Sequence, residues 1–186
     1  VAETRLLTIE NTFGGRVMPL SWIADATALA RKHGLGLHLD GARVFNAAVA
    51  SNLDVAEIAE PFDTISVCLS KGLGAPVGSA ICGTRKHIDH ANRVRKVFGG
   101  GMRQAGIIAA GALYALDNHI ERMADDHRHA RRFADLIRDV DGILVDPPRI
   151  ETNIVYFYVD PKLGTAAEFA AVLKPRGLLV GALGKQ

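Results

Sequence analysis

The chain has 186 residues, 48% of them hydrophobic and 23% charged, with a formal net charge of +2. That size and apolar content suit one ordinary domain, or one domain and part of another, and the charged fraction argues against disorder. The small net charge argues against nucleic acid held by bulk electrostatics, and no apolar run approaches the roughly 18 to 20 residues that span a bilayer.

Strand-like and helix-like segments alternate along the chain, the pattern of an α/β architecture. Arg5 to Ile9 is a short apolar run that ends in the polar turn Glu10-Asn11-Thr12, before Gly14 and Gly15. Ser21 is expected to cap a helix running to His33, with Trp22, Ala26, Leu29 and Ala30 on its apolar face and Gly34 as its stop. Leu35 to Leu39 is a strand that delivers Asp40. A small helix is expected around Asp54 to Ala59, ending at Pro61. Thr64 to Leu69, β-branched and apolar, is a strand that delivers Ser70 and Lys71, and Ser79 to Cys82 is a further strand. Strands this short and apolar suit a sheet covered on both faces.

Thr84 is expected to cap a helix that carries Ile88, Ala91 and Val94 and ends at Gly99-Gly100-Gly101. From Arg103 to about Asp139 the pattern is helical, with a break near Asn118 or His119. Strands are expected at Ile143 to Val145, Ile154 to Val159 and Leu178 to Val180, with a helix from Ala166 to Leu173. The domain reading that follows is residues 1–118 as the C-terminal part of a large domain and 119–186 as an incomplete small α+β domain.

Three features carry chemistry. Asp40 closes one buried strand and is followed by Gly41, Ala42 and Arg43. Lys71 follows another, within Ser70-Lys71-Gly72-Leu73-Gly74. The glycines at 99 to 101 are flanked by Lys96 and Arg103. Ligands of parallel α/β sheets bind beyond the carboxyl ends of the strands, where Asp40 and Lys71 fall. A desolvated lysine can form an imine with an aldehyde. A carboxylate can keep a pyridine nitrogen protonated. Arg43 has the planar fork that binds a carboxylate in bidentate fashion, and Ser70, Arg103 and the glycines suit a phosphate. Each feature also has a plainer reading: a turn aspartate, a solvated lysine, an Arg43–Asp40 pair, a glycine turn without a ligand.

Together the motifs resemble a known family. His38-Leu39-Asp40-Gly41-Ala42-Arg43, the segment from Cys68 to Ser79, and Gly99-Gly100-Gly101-Met102-Arg103-Gln104 resemble, in order, three motifs of the low-specificity L-threonine aldolases. The resemblance runs from about Leu6 to the end of the chain. It implies the fold type I architecture of pyridoxal 5'-phosphate (PLP) enzymes, with a mainly parallel sheet in the large domain and a smaller C-terminal domain. It implies homodimers or homotetramers with shared active sites. It implies Lys71 as the Schiff-base lysine, Asp40 at the ring nitrogen, Ser70 beside the lysine, Arg43 at the substrate carboxylate, and Lys96 and Arg103 near the site, Arg103 helping to hold a phosphate. The implied reaction is cleavage of threonine or allo-threonine to glycine and acetaldehyde. A β-eliminating lyase on the same fold, or a non-catalytic relic of it, are the competing readings.

Two departures accompany the resemblance. Phe13 stands where many family members have a histidine near the substrate hydroxyl, and phenylalanine cannot accept a proton. The family polypeptide is also longer, by about a hundred or more N-terminal residues and by a C-terminal segment with a further arginine. Cys68 and Cys82 read as buried small hydrophobes of a reducing compartment, here the cytoplasm. His33, His87, His90, His119, His127 and His129 read as surface helix residues with no metal set among them. His38 reads as a core histidine that shares a strand face with Asp40. The charged run from Arg122 to Arg138 reads as a solvated helix face.

Overall fold

The computed structural model describes residues 2–183. Its first sheet has four strands in the order β1 (Leu6–Glu10), β2 (Gly36–Asp40), β3 (Thr64–Cys68) and β4 (Ser79–Gly83). The first three are parallel, with Glu10 opposite Asp40 and Asp40 opposite Ser66, while β4 returns antiparallel along β3. The fold is therefore α/β, with a mainly parallel sheet. A second, two-stranded sheet pairs β5 (Ile143–Val145) antiparallel with β6 (Phe157–Val159).

Helix α1 (Leu20–Lys32) begins two residues earlier than expected. Pro19 is its N-cap, its fixed φ suits the entry, and Ser21 lies inside the first turn with no capping bond. The buried stripe is Ile23, Thr27 and Ala30, and Trp22 and Leu29 face outward. The expected face was thus rotated by about one residue. Thr27 is accommodated inside because its hydroxyl donates to the carbonyl of Ile23 at 2.8 Å.

Helix α2 (Val44–Ser51) has no counterpart in the sequence reading. It packs Val44, Ala47 and Ala48 against Leu39 and Ile58 in the central core. Asp54 caps α3 (Val55–Ala59) in a capping box with Glu57. Thr84 caps α4 (Arg85–Val97) as its sequence suggests, accepting from the amide of His87. Helices α5 (Gly106–Asn118) and α6 (Met123–Ile137) are separated at residues 119–122, where the break was expected. Leu73, Ala75, Ala112, Ala115 and Met123 form a second core between the β3–β4 loop and this helical pair.

Ala134 of α6 forms a third core with Val145 and Ile150, and α7 (Ala166–Leu173) follows with its own capping box at Thr165. The strand expected over 154–159 is confined to β6, and residues 178–180 are not a strand. They pair with no strand of either described sheet, and an apolar run without a partner forms no ladder. Both cysteines are free, but Cys82 is exposed, because β4 is the outer strand and all five of its residues are open to solvent. Among the described residues no helix is long and apolar enough to cross a membrane.

Candidate active site

The carboxyl ends of β1, β2 and β3 form one edge. There the amide of Asn11 donates to the carbonyl of Asp40 at 3.1 Å, and the amide of Gly41 to the carbonyl of Ser66 at 2.8 Å. Asp40 is half-buried, and its Oδ1 accepts from the amide of Ala42 at 3.1 Å, a local turn that fixes the carboxylate. Arg43 is the N-cap residue of α2. Among the described residues it makes no ion pair with Asp40. Its Nε is buried without a hydrogen-bond partner. A buried guanidinium N–H left unpaired costs desolvation and suits an anionic ligand.

Lys71 lies in the loop from β3 to β4. The loop is closed by bonds from Leu69 to Gly78 and from Ala75 to Leu69, each 3.0 Å, and by a turn in which Gly74 donates to the carbonyl of Lys71 at 2.9 Å. Leu73 anchors it, only 1% exposed. Ser70 and Lys71 themselves are exposed. The desolvation expected for Lys71 is therefore not supplied by this chain's own packing, because the buried side chains of the loop are Leu73 and Ala75 on its other side.

Asp40, Arg43 and Lys71 thus share the edge beyond two adjacent parallel strands. Lys96, in the last turn of α4, and Arg103, between α4 and α5, are exposed and make no described hydrogen bond or ion pair with those three. Helix α4 packs on β4 at the antiparallel side of the sheet. Cavities of about 570 Å³ beside Arg131 and Arg138, and about 890 Å³ beside Tyr156 and Phe169, lie elsewhere. Neither is lined by Lys71, Asp40 or Arg43. Phe13, after β1, is exposed, and its backbone pairs with Arg16.

The surroundings of the edge hold residues that the sequence reading placed differently or overlooked. His38 donates or accepts through Nδ1 at 2.8 Å from the Thr64 hydroxyl, a satisfied cross-strand contact. His127 is not a surface residue: it is 2% exposed, and its Nε2 meets Asn46 Nδ2 at 3.0 Å. The spacing of Met123, His127, Ala130 and Ala134 carries the signal, since it puts His127 on the apolar stripe of α6. His119 is half-buried and bonds through Nδ1 to the carbonyl of Leu73 at 2.7 Å. Asn11 and Thr12 are buried just past β1, where Asn11 Oδ1 accepts from the amide of Met18.

The β-eliminating lyase family profile matches residues 1–160. The chain is 42% identical over 181 residues to the low specificity L-threonine aldolase of Escherichia coli K12, covering 97% of this chain and 53% of that one. It is 40% identical over 182 residues to low-specificity L-threonine aldolase 1 of Arabidopsis thaliana, covering 96% and 51%. A crystal structure from Exiguobacterium sp. 255-15, described as an aromatic amino acid β-eliminating lyase/threonine aldolase, superposes with a TM-score of 0.82. That match is at 27% identity over 98% of this chain and 52% of the other. The chain spans about half the length of the curated relatives it matches.

Proposed function

The chain belongs to the β-eliminating lyase family, and on that premise we propose that it forms part of a PLP-dependent carbon–carbon lyase. The reaction is cleavage of threonine or allo-threonine to glycine and acetaldehyde. The observation that carries this reading is the common edge of Asp40, Arg43 and Lys71 beyond adjacent parallel strands.

Those residues fit the cofactor's demands: an amine, a carboxylate, and a guanidinium with a buried, unpaired N–H. When bound, the cofactor supplies an electron sink for the pair released at Cα. Lys71 holds the cofactor through its amine. Asp40 holds the proton of the ring nitrogen, and its turn bond to Ala42 keeps the carboxylate oriented. Arg43 binds the substrate carboxylate. Ser70 lies beside the anchoring amine, Arg103 adds positive charge for the phosphate, and Lys96 lies near the substrate. Phe13 cannot take the proton of the β-hydroxyl, so another group does.

The assembly proposed is a homodimer or homotetramer with shared sites. Val97, Phe98, Met102 and Ile107, each more than 70% exposed, line the α4–α5 connection that carries Lys96 and Arg103, and a second copy of the chain would cover them. Residues 1–118 and 119–186 are proposed to belong to a large and a small domain. The free thiols Cys68 and Cys82 suit a reducing, cytoplasmic setting.

The test uses the full-length protein. Borohydride should fix PLP to Lys71 by mass, and threonine should give glycine and acetaldehyde in equal amounts. Ammonia and a keto acid instead would assign a β-eliminating lyase, the reading that the family's name favours. A sample that takes up no cofactor would mark a non-catalytic relic.

A further inference from the structure

The Lys71 loop is gripped from beneath by two residues outside the edge, His119 and Asn46, and Asn46 is backed by His127. The carbonyl of Leu73 accepts from His119. Gly72 lies directly against the amide of Asn46, so close that a Cβ there would stand 2.6 Å from Oδ1 and 3.2 Å from Nδ2. Asn46 is 1% exposed, and its Nδ2 donates to Nε2 of His127, from a helix 81 residues further along the chain.

Helix α2 joins the two halves of the edge. Arg43 is its N-cap, Asp40 precedes it, and Asn46 comes one turn after Arg43. The helix that Arg43 caps, and that Asp40 precedes, therefore touches the Lys71 loop through its first turn.

A buried polar pair adds little net stability over an apolar pair of the same shape, but it admits few alternative arrangements. Asn46 is the one polar residue among the buried residues of α2, whose others are Val44, Ala47 and Ala48. To accept from Asn46, His127 must be neutral at Nε2, which fixes its proton on Nδ1. Burial favours that neutral form, Arg131 adds to the effect, and Asp126 opposes it.

We propose that Asn46, oriented by His127, is a positioning residue for the Lys71–Gly72 backbone, so that α6 sets how the lysine amine is presented. The functional half of this inference rests on Lys71 anchoring PLP. The structural half does not.

The experiment compares Asn46→Ala, His127→Leu and His127→Gln in the full-length protein. In cofactor-free samples, hydrogen exchange of the segment 69–78 should rise about tenfold in Asn46→Ala and His127→Leu, with the rest of the protein unchanged. His127→Gln, whose amide oxygen can accept from Asn46, should restore protection. In loaded samples the first two variants should shift the pH titration of the visible cofactor band and lower kcat with little change in KM. Unchanged loop exchange in Asn46→Ala, or a loss spread evenly over the protein that His127→Gln does not reverse, would overturn the proposal. Asn46→Ala leaves the α6 core intact and decides the matter if His127→Leu does not fold. A wild-type protein that shows no band and fixes no cofactor fails the PLP reading, while loop exchange still judges the grip on residues 71 and 72.

Discussion

The amide of Gly41 donates to the carbonyl of Ser66 at 2.8 Å, which draws the turn after β2 onto the middle of β3. The contact has no room for a side chain. A Cβ at position 41 would lie 2.9 Å from the Ser66 oxygen, 3.1 Å from Ile65 Cγ2 and 3.2 Å from Val44 Cβ. The turn between Asp40 and Arg43 is placed by that approach.

Gly41→Ala should therefore destabilise the protein by about 1–3 kcal/mol through overpacking. It should also displace Asp40 and Arg43 from β3. Urea unfolding measures the first effect and cofactor titration the second. An unchanged unfolding midpoint with unchanged cofactor affinity would mean the turn relaxes freely.

Arg31 and Asp63 form a bidentate pair, with both N···O distances 2.8 Å, and Asp63 also accepts from the amide of Leu37 at 2.8 Å. These bonds, the one from Arg31 foremost, hold the Asp63 carboxyl below its ordinary value of 3.8. The folded state thus binds fewer protons than the unfolded state near that pH. The stabilisation is present above 3.8 and is lost as pH falls through the lower folded value. Asp63→Asn should flatten this acid limb in a series of melting temperatures against pH.

His127 titrates in the same direction for a different reason. Burial, aided by Arg131, holds its pKa below the ordinary 6.5. The unfolded chain then binds the extra proton, so stability is complete above 6.5 and declines as pH falls below it, until the folded-state value is passed. Denaturant unfolding across that range should show the decline in the wild type and a smaller one in His127→Gln.

The Thr152 hydroxyl donates to the carbonyl of Gly15 at 2.6 Å in a fully buried contact between the segment before β6 and the loop after β1. Thr152→Val keeps the shape and removes the donor. Leaving the buried carbonyl unpaired should cost about 1–3 kcal/mol, measurable by chemical denaturation.

Asp40 and Lys71 were legible because their signal is local. Each follows a short apolar run and precedes a glycine, and a parallel sheet brings such strand ends to one edge. The helix cap at Thr84 is likewise short-range chemistry and was read from the sequence. His127 was misread because its neighbours in sequence are charged, while its neighbours in space belong to α2. Helix α2 itself escaped notice because its run is short and nearly all apolar, which leaves no periodicity to read.

The sequence by itself determined the strand ends that carry a carboxylate and an amine, since local pattern and glycine placement dictate them. Tertiary structure alone decided which face of α1 is buried, that Cys82 lies on an open outer strand, and that His127 and Asn46 meet under the Lys71 loop. The physical reason is range: capping and strand pattern act over a few residues. A buried donor such as the Asn46 amide must find its acceptor wherever packing brings one near, here 81 residues away.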